Sequence, residues 1–114
     1  MLDFFRTFWW LMAAHALTDY ALQSEFIATY KDPNYWDEKR GKVGPWLWIM
    51  SSHALINGGG VALVTGSVVL GVLECVAHFI LDTAKCLGVI NTHVDQYGHV
   101  LTKVAWAFLV TFAR

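Results

Sequence analysis

Residues 74 to 85 read ECVAHFILDTAK, an apolar run that spaces Glu74, His78 and Asp82 four apart and puts Lys85 three further on. On an α-helix, at about 100° per residue, these four side chains fall within roughly 80° of one another. They form one polar stripe on a greasy helix. Ionisable groups inside membrane spans are costly, normally face the interior of a bundle, and mark functional sites by default. The stripe therefore asks for partner helices that can receive it.

The rest of the chain supplies the setting. It is 56% hydrophobic and only 15% charged, where a soluble domain of ordinary composition carries about 25% charged residues. Six Trp and seven Phe are more than a small soluble core hides, which points to a lipid-facing surface. The expectation is an all-α, integral membrane four-helix bundle, a single domain over 1–114 with helices near 2–30, 46–65, 67–87 and 95–113. KDPNYWDEKRGKVGP (31–45) is a polar loop punctuated by Pro33, Gly41, Gly44 and Pro45. The alternative is one span over 61–81, with 46–57 re-entrant or interfacial. The four-helix reading is preferred, because residues 46–66 nearly supply the twenty residues that a span needs. GGG (58–60) is then a surface for close helix contact, and most of the tryptophans serve as interface anchors.

Lys31, Lys39, Arg40 and Lys42 weight one side of the membrane, with Lys85 at its edge, against Arg6 and Arg114 on the other. By the positive-inside rule the 31–45 loop is cytoplasmic, in the inner membrane of a bacterium. The first segment lacks a signal peptide's pattern and reads as a retained helix. A net charge of −1 without a long basic run argues against nucleic-acid binding. Cys75 and Cys86 lie too far apart on one helix for a disulfide. No phosphate-binding glycine loop, GxSxG elbow or CxxC pair is present.

The opening stripe has counterparts. HALTD (15–19) and HALIN (53–57) each set a polar residue four after a histidine, and DQYGH (95–99) sets Asp95 four before His99. In an antiparallel bundle with about 1.5 Å of rise per residue, Asp19, His53, Asp82 and His99 come within about 5–12 Å of the same face. His15 and His78 lie a turn deeper, and Glu74 deeper still. Four sequence-distant helices thus point to one site. Gln23 and Glu25 continue helix 1 toward the headgroups, and His93 is a solvated loop residue.

Histidine with carboxylate suits a divalent metal, namely zinc, manganese or iron, and a four-residue spacing lets one helical face give two ligands. His15, Asp19, His53, His78, Asp82 and His99 are the ligand candidates. Glu74, Asp95 and Lys85 are candidates for supporting or acid–base roles. One ion cannot use them all, since the stripe from Glu74 to Lys85 spans about 16 Å. The competing readings are a self-satisfied polar network that only holds helices together, a proton or ion pathway through Glu74, His78 and Asp82, and a partner-binding surface.

HALTDYALQ, SHALINGGG, ECVAHFILDTAK and DQYGH together resemble domain-of-unknown-function family 3307, small bacterial and phage membrane proteins. The resemblance maps His15, Asp19 and Gln23, then His53, then His78, Asp82 and Lys85, and finally Asp95, Gln96 and His99 onto the family's motifs. It departs at Asn57, where the motif has a second histidine. It implies a polytopic helical membrane protein, often phage-borne, and brings no activity with it. The expected function is divalent-metal binding that supports hydrolysis of a lipid-linked or phosphate-containing substrate. The alternative is a non-enzymatic phage or bacterial membrane component. The expected surroundings are a lipid bilayer and a homo-oligomeric or membrane-protein partner.

Overall fold

Short polar side chains set most of the helix boundaries. Ser24 Oγ accepts from the Ile27 amide at 3.2 Å, Ser67 Oγ from Leu70 at 3.2 Å, and Asn91 Oδ1 from Val94 at 2.9 Å. Each satisfies an amide that the first turn of a helix leaves without a partner. In this computed structural model, which describes residues 1–37, 42–43 and 45–113, the result is five α-helices. They are α1 (Leu2–Ala16), α2 (Glu25–Tyr30), α3 (Trp46–Thr65), α4 (Val68–Cys86) and α5 (Thr92–Phe112). A two-residue antiparallel ladder, β1 (Trp36–Asp37) with β2 (Lys42–Val43), pairs Trp36 with Val43.

Two boundaries differ from the sequence expectation. The first helix does not run unbroken to residue 30. After Ala16 it widens into a π-turn over Leu17–Ala21, where the Leu22 amide reaches back five residues to the Leu17 carbonyl at 2.8 Å. The chain then leaves the helix, and Ser24 starts α2 afresh. The fourth helix opens at Thr92, earlier than residue 95, because Asn91 caps it. His93 therefore lies in a first helical turn, where it is exposed. The alternative with a re-entrant 46–57 does not occur, since α3 is continuous. Lys39, Arg40, Gly41, Gly44 and Arg114 lie outside the described residues.

The four long helices form a ring, with α3 packed most closely on α4, α1 against α3 and α5, and α4 against α5. Stacking of Phe4 on Phe112 joins the start of α1 to the end of α5, so these two run antiparallel. At Gly66, φ is +71°, a left-handed conformation that glycine adopts without penalty, and it lets α3 reverse tightly into α4. The closeness of that pair rests on two more glycines. A Cβ on Gly58 would meet the Gly71 carbonyl oxygen at 2.5 Å, and one on Gly71 would meet Ala62 Cβ at 2.8 Å. Of the GGG run, only Gly58 makes this contact; Gly59 faces open space.

The interior is divided along its length. One half holds an apolar cluster of Leu11, Val61, Leu70 and Ala107, flanked by Phe4, Phe8 and Trp106. The other half is polar. Among the described residues, the buried side chains comprise six hydrophobic and twelve polar or charged ones, while Leu63, Trp48, Val68 and Leu101 are among the large apolar side chains facing out. One helix, Trp46–Thr65, is long and apolar enough to cross a membrane. Helix α4 carries Glu74, Asp82 and Lys85, and α5 carries Asp95 and Lys103, and this charge is directed into the polar half of the ring.

Candidate metal centre

The π-turn ends α1 with His15, Thr18 and Asp19 on its inward face, all buried. From α3 come His53 and Asn57, from α4 His78 and Asp82, and from α5 Asp95 and His99. The spacing of four that the sequence repeats is what keeps each pair on one face.

At the centre stand four groups from three helices. His53 Nε2 lies 3.1 Å from Asp19 Oδ1 and 3.2 Å from Asp82 Oδ2. His78 Nε2 lies 3.4 Å from Asp19 Oδ1 and 3.5 Å from Asp82 Oδ2. All four residues are buried, and their ligand atoms lie within 4.8 Å of one another. Metal bonds of about 2.0–2.1 Å set neighbouring tetrahedral ligands about 3.3–3.4 Å apart. The four measured edges bracket that value, so the residues present fit a four-coordinate divalent ion.

The other predicted residues take different places. His15 stands beside this group, with Nε2 3.4 Å from Gln96 Oε1 and 3.7 Å from Asp19 Oδ2. His99 and Asp95 pair with each other at 3.2 Å on the far side of Asp82. Lys85, whose side chain is 27% exposed, lies at the rim, 3.3 Å from Asp82 Oδ1 and 3.6 Å from Asp95 Oδ2. Glu74 is deeper. Its carboxylate accepts from Lys103 Nζ through Oε1 and from Trp106 Nε1 through Oε2 at 2.6 Å. The same Oε1 lies 3.8 Å from His78 Nδ1, longer than a hydrogen bond but on the ring edge opposite the central group. A carboxylate behind a metal-binding histidine fixes the orientation of its ring.

Asn57, at the position where the family motif carries a histidine, joins helices. It accepts from Thr18 Oγ1 at 2.8 Å and donates to the His53 carbonyl at 3.0 Å.

Two buried lysines escape the sequence reading. Lys103 continues the series Asp95, His99, Lys103 at the same spacing of four, so its signal was present. Lys31 had no such signal. It counts in sequence as a loop charge on the cytoplasmic side, yet it is buried and donates to Asp82 Oδ2 and Gln23 Oε1, each at 2.6 Å. Gln23 faces inward to meet it, so it does not extend toward headgroups as expected. The break at residues 22–24 is what turns α2 so that Lys31 can reach back.

Fold and site together define an all-helical bundle with a buried histidine–carboxylate centre. Residues 7–113 match the family described as "Protein of unknown function (DUF3307)", and the chain belongs to that family. Comparison with curated proteins and with solved structures returns no match.

Proposed function

We propose that the chain is a metal-binding protein of the bacterial inner membrane. In this reading Asp19, His53, His78 and Asp82 hold one divalent ion, either zinc, manganese or iron, that supports hydrolysis of a lipid-linked or phosphate-containing substrate. The observation that carries the reading is the set of four edges, 3.1, 3.2, 3.4 and 3.5 Å, between two imidazoles and two carboxylates with almost no solvent exposure. A bound ion of this kind makes its coordinated water a nucleophile near neutral pH.

The membrane part rests on the inverted interior. Twelve polar or charged side chains are buried while large apolar ones face outward over the long helices, the arrangement that a hydrocarbon solvent rewards. The site lies toward the end of the ring that carries α2 and the 31–45 segment, the side proposed as cytoplasmic. Within the chain, Glu74 keeps the His78 ring in position. Lys85, partly exposed at the rim, places an ammonium where a phosphate group would meet the centre.

Metal content measured by mass spectrometry, on tag-free protein purified in mild detergent without chelator, tests the reading. Near-stoichiometric zinc, manganese or iron is expected in the wild type, with loss of it in His78→Ala. Absence of metal from both, after growth with metal supplied, overturns the reading.

One observation favours a second reading, a proton pathway. The rings of His15, His99, His78 and His53 follow one another with centroids 5.1, 4.4 and 4.9 Å apart. Proton flux into vesicles containing the purified protein, abolished by His78→Ala and unaffected by chelator, would establish that reading in place of metal binding.

A further inference from the structure

The two oxygens of Asp82 serve different neighbours. Oδ2 faces His53 and His78 in the central group. Oδ1 lies on the other side, 3.9 Å from His99 Nε2, which is itself 3.2 Å from Asp95 Oδ1. Asp82, Asp95 and His99 are fully buried, with 0% exposure each. Their facing atoms Asp82 Oδ1, Asp95 Oδ1 and His99 Nε2 all lack a hydrogen-bond partner. Leaving one buried polar atom unsatisfied costs about 1–3 kcal/mol, and here three converge on one point from two helices.

We propose that Asp82, Asp95 and His99 hold a second divalent cation, joined to the first through the Asp82 carboxylate, so that the centre is a two-ion site. This rests on the first ion being held as described above. The three residues offer ligand atoms within 4.8 Å of one another. The remaining oxygen of Asp95, Oδ2, is engaged by Gln96 Nε2 at 3.2 Å, which turns Oδ1 toward His99. Lys85 Nζ, 3.3 Å from Asp82 Oδ1, is the cation now nearest this pocket. Its long, partly exposed side chain can swing outward when a metal takes its place. A third grouping at similar distances, Glu74 with His78 and His99, is different, because Lys103 and Trp106 already engage both Glu74 oxygens.

A shared carboxylate suits ions about 3.5–4 Å apart, the separation with which paired ions clamp the attacking and leaving oxygens of a phosphoryl group. The substrate class narrows accordingly to phosphate esters or diphosphates, with Lys85 at the rim to meet their charge.

The test uses full-length protein in detergent, stripped of metal and titrated with Mn²⁺ alone. It reads stoichiometry by equilibrium dialysis and coupling by electron paramagnetic resonance. Wild type should bind two equivalents with an exchange-coupled spectrum. His99→Ala and, independently, Asp95→Asn should bind one equivalent with the spectrum of an isolated ion, while circular dichroism melting confirms that each variant is folded. One equivalent in the wild type, unchanged in both variants, overturns the second site and leaves the first standing. No binding in the wild type overturns both.

Discussion

Replacing Lys103 with Met isolates the deepest charge in the interior. Lys103 is 2% exposed and Glu74 0%, and the ammonium joins Glu74 to Thr102 across the α4–α5 contact. Without it, the Glu74 carboxylate keeps only its bond from Trp106, inside a bundle that admits little water. Removing one partner of a buried ion pair costs about 3–5 kcal/mol, whereas replacing both with neutral groups of similar size is often close to neutral. Lys103→Met should therefore lower Tm in detergent by at least about 10 °C, since each kcal/mol shifts a domain near this size by roughly 4–8 °C. The double variant Glu74→Gln/Lys103→Met should regain most of that loss. Thermal melts followed by circular dichroism, with the Glu74→Gln single variant completing the cycle, give the coupling directly. Refutation would come from a Lys103→Met melt like wild type, or from a double variant no better than the single. Either result means that the two charges are solvated or paired elsewhere.

Other substitutions probe the packing and the centre separately. Gly58→Val should destabilise by about 1–3 kcal/mol or more through collision with the Gly71 backbone, whereas Gly59→Ala, facing open space, should leave the melting temperature within a degree or so of wild type or raise it. Asn57→Ala should cost about 1–3 kcal/mol by leaving Thr18 without its acceptor, with metal content unchanged. Loss of metal in that variant would make Asn57 a ligand and contradict its assignment as a link between helices. Asn91→Ala should cost about 1 kcal/mol through the lost cap of α5, measured by denaturant titration, again with metal content unchanged.

The repeat of four made the site legible before any fold was known. Asp19, His53, His78 and Asp82 converge because helical spacing is set by the backbone and charges in apolar segments turn inward. Lys103 obeyed the same rule and was readable in principle. Lys31 was not, because its position depends on where a π-turn releases the chain and where Ser24 restarts it. Neither event leaves a mark in hydrophobic periodicity. The start of α5 went unread for a related reason: His93 and Val94 look like loop continuing from VIN, and only the capping bond of Asn91 shows otherwise. Which carboxylate oxygen faces which imidazole lies beyond any spacing argument, since it is fixed by the rotamers of packed neighbours.

The π-turn makes the centre sensitive to how many residues precede it. In an α-helix each residue advances the chain by about 100°, so the wide turn at Leu17–Ala21 accommodates one residue that a regular helix would have rotated out of phase. A deletion of one residue there would leave every ligand type in the sequence. It would restore ordinary helix geometry and turn Gln23, Ser24 and Lys31 away from the face that holds Asp82. Ligands on α1 and the lysine beyond α2 are thus tied together by chain length as well as by contact. Relatives that differ by an insertion or deletion between Ala16 and Gln23 are expected to differ in what neutralises Asp82, even where their histidines and aspartates align.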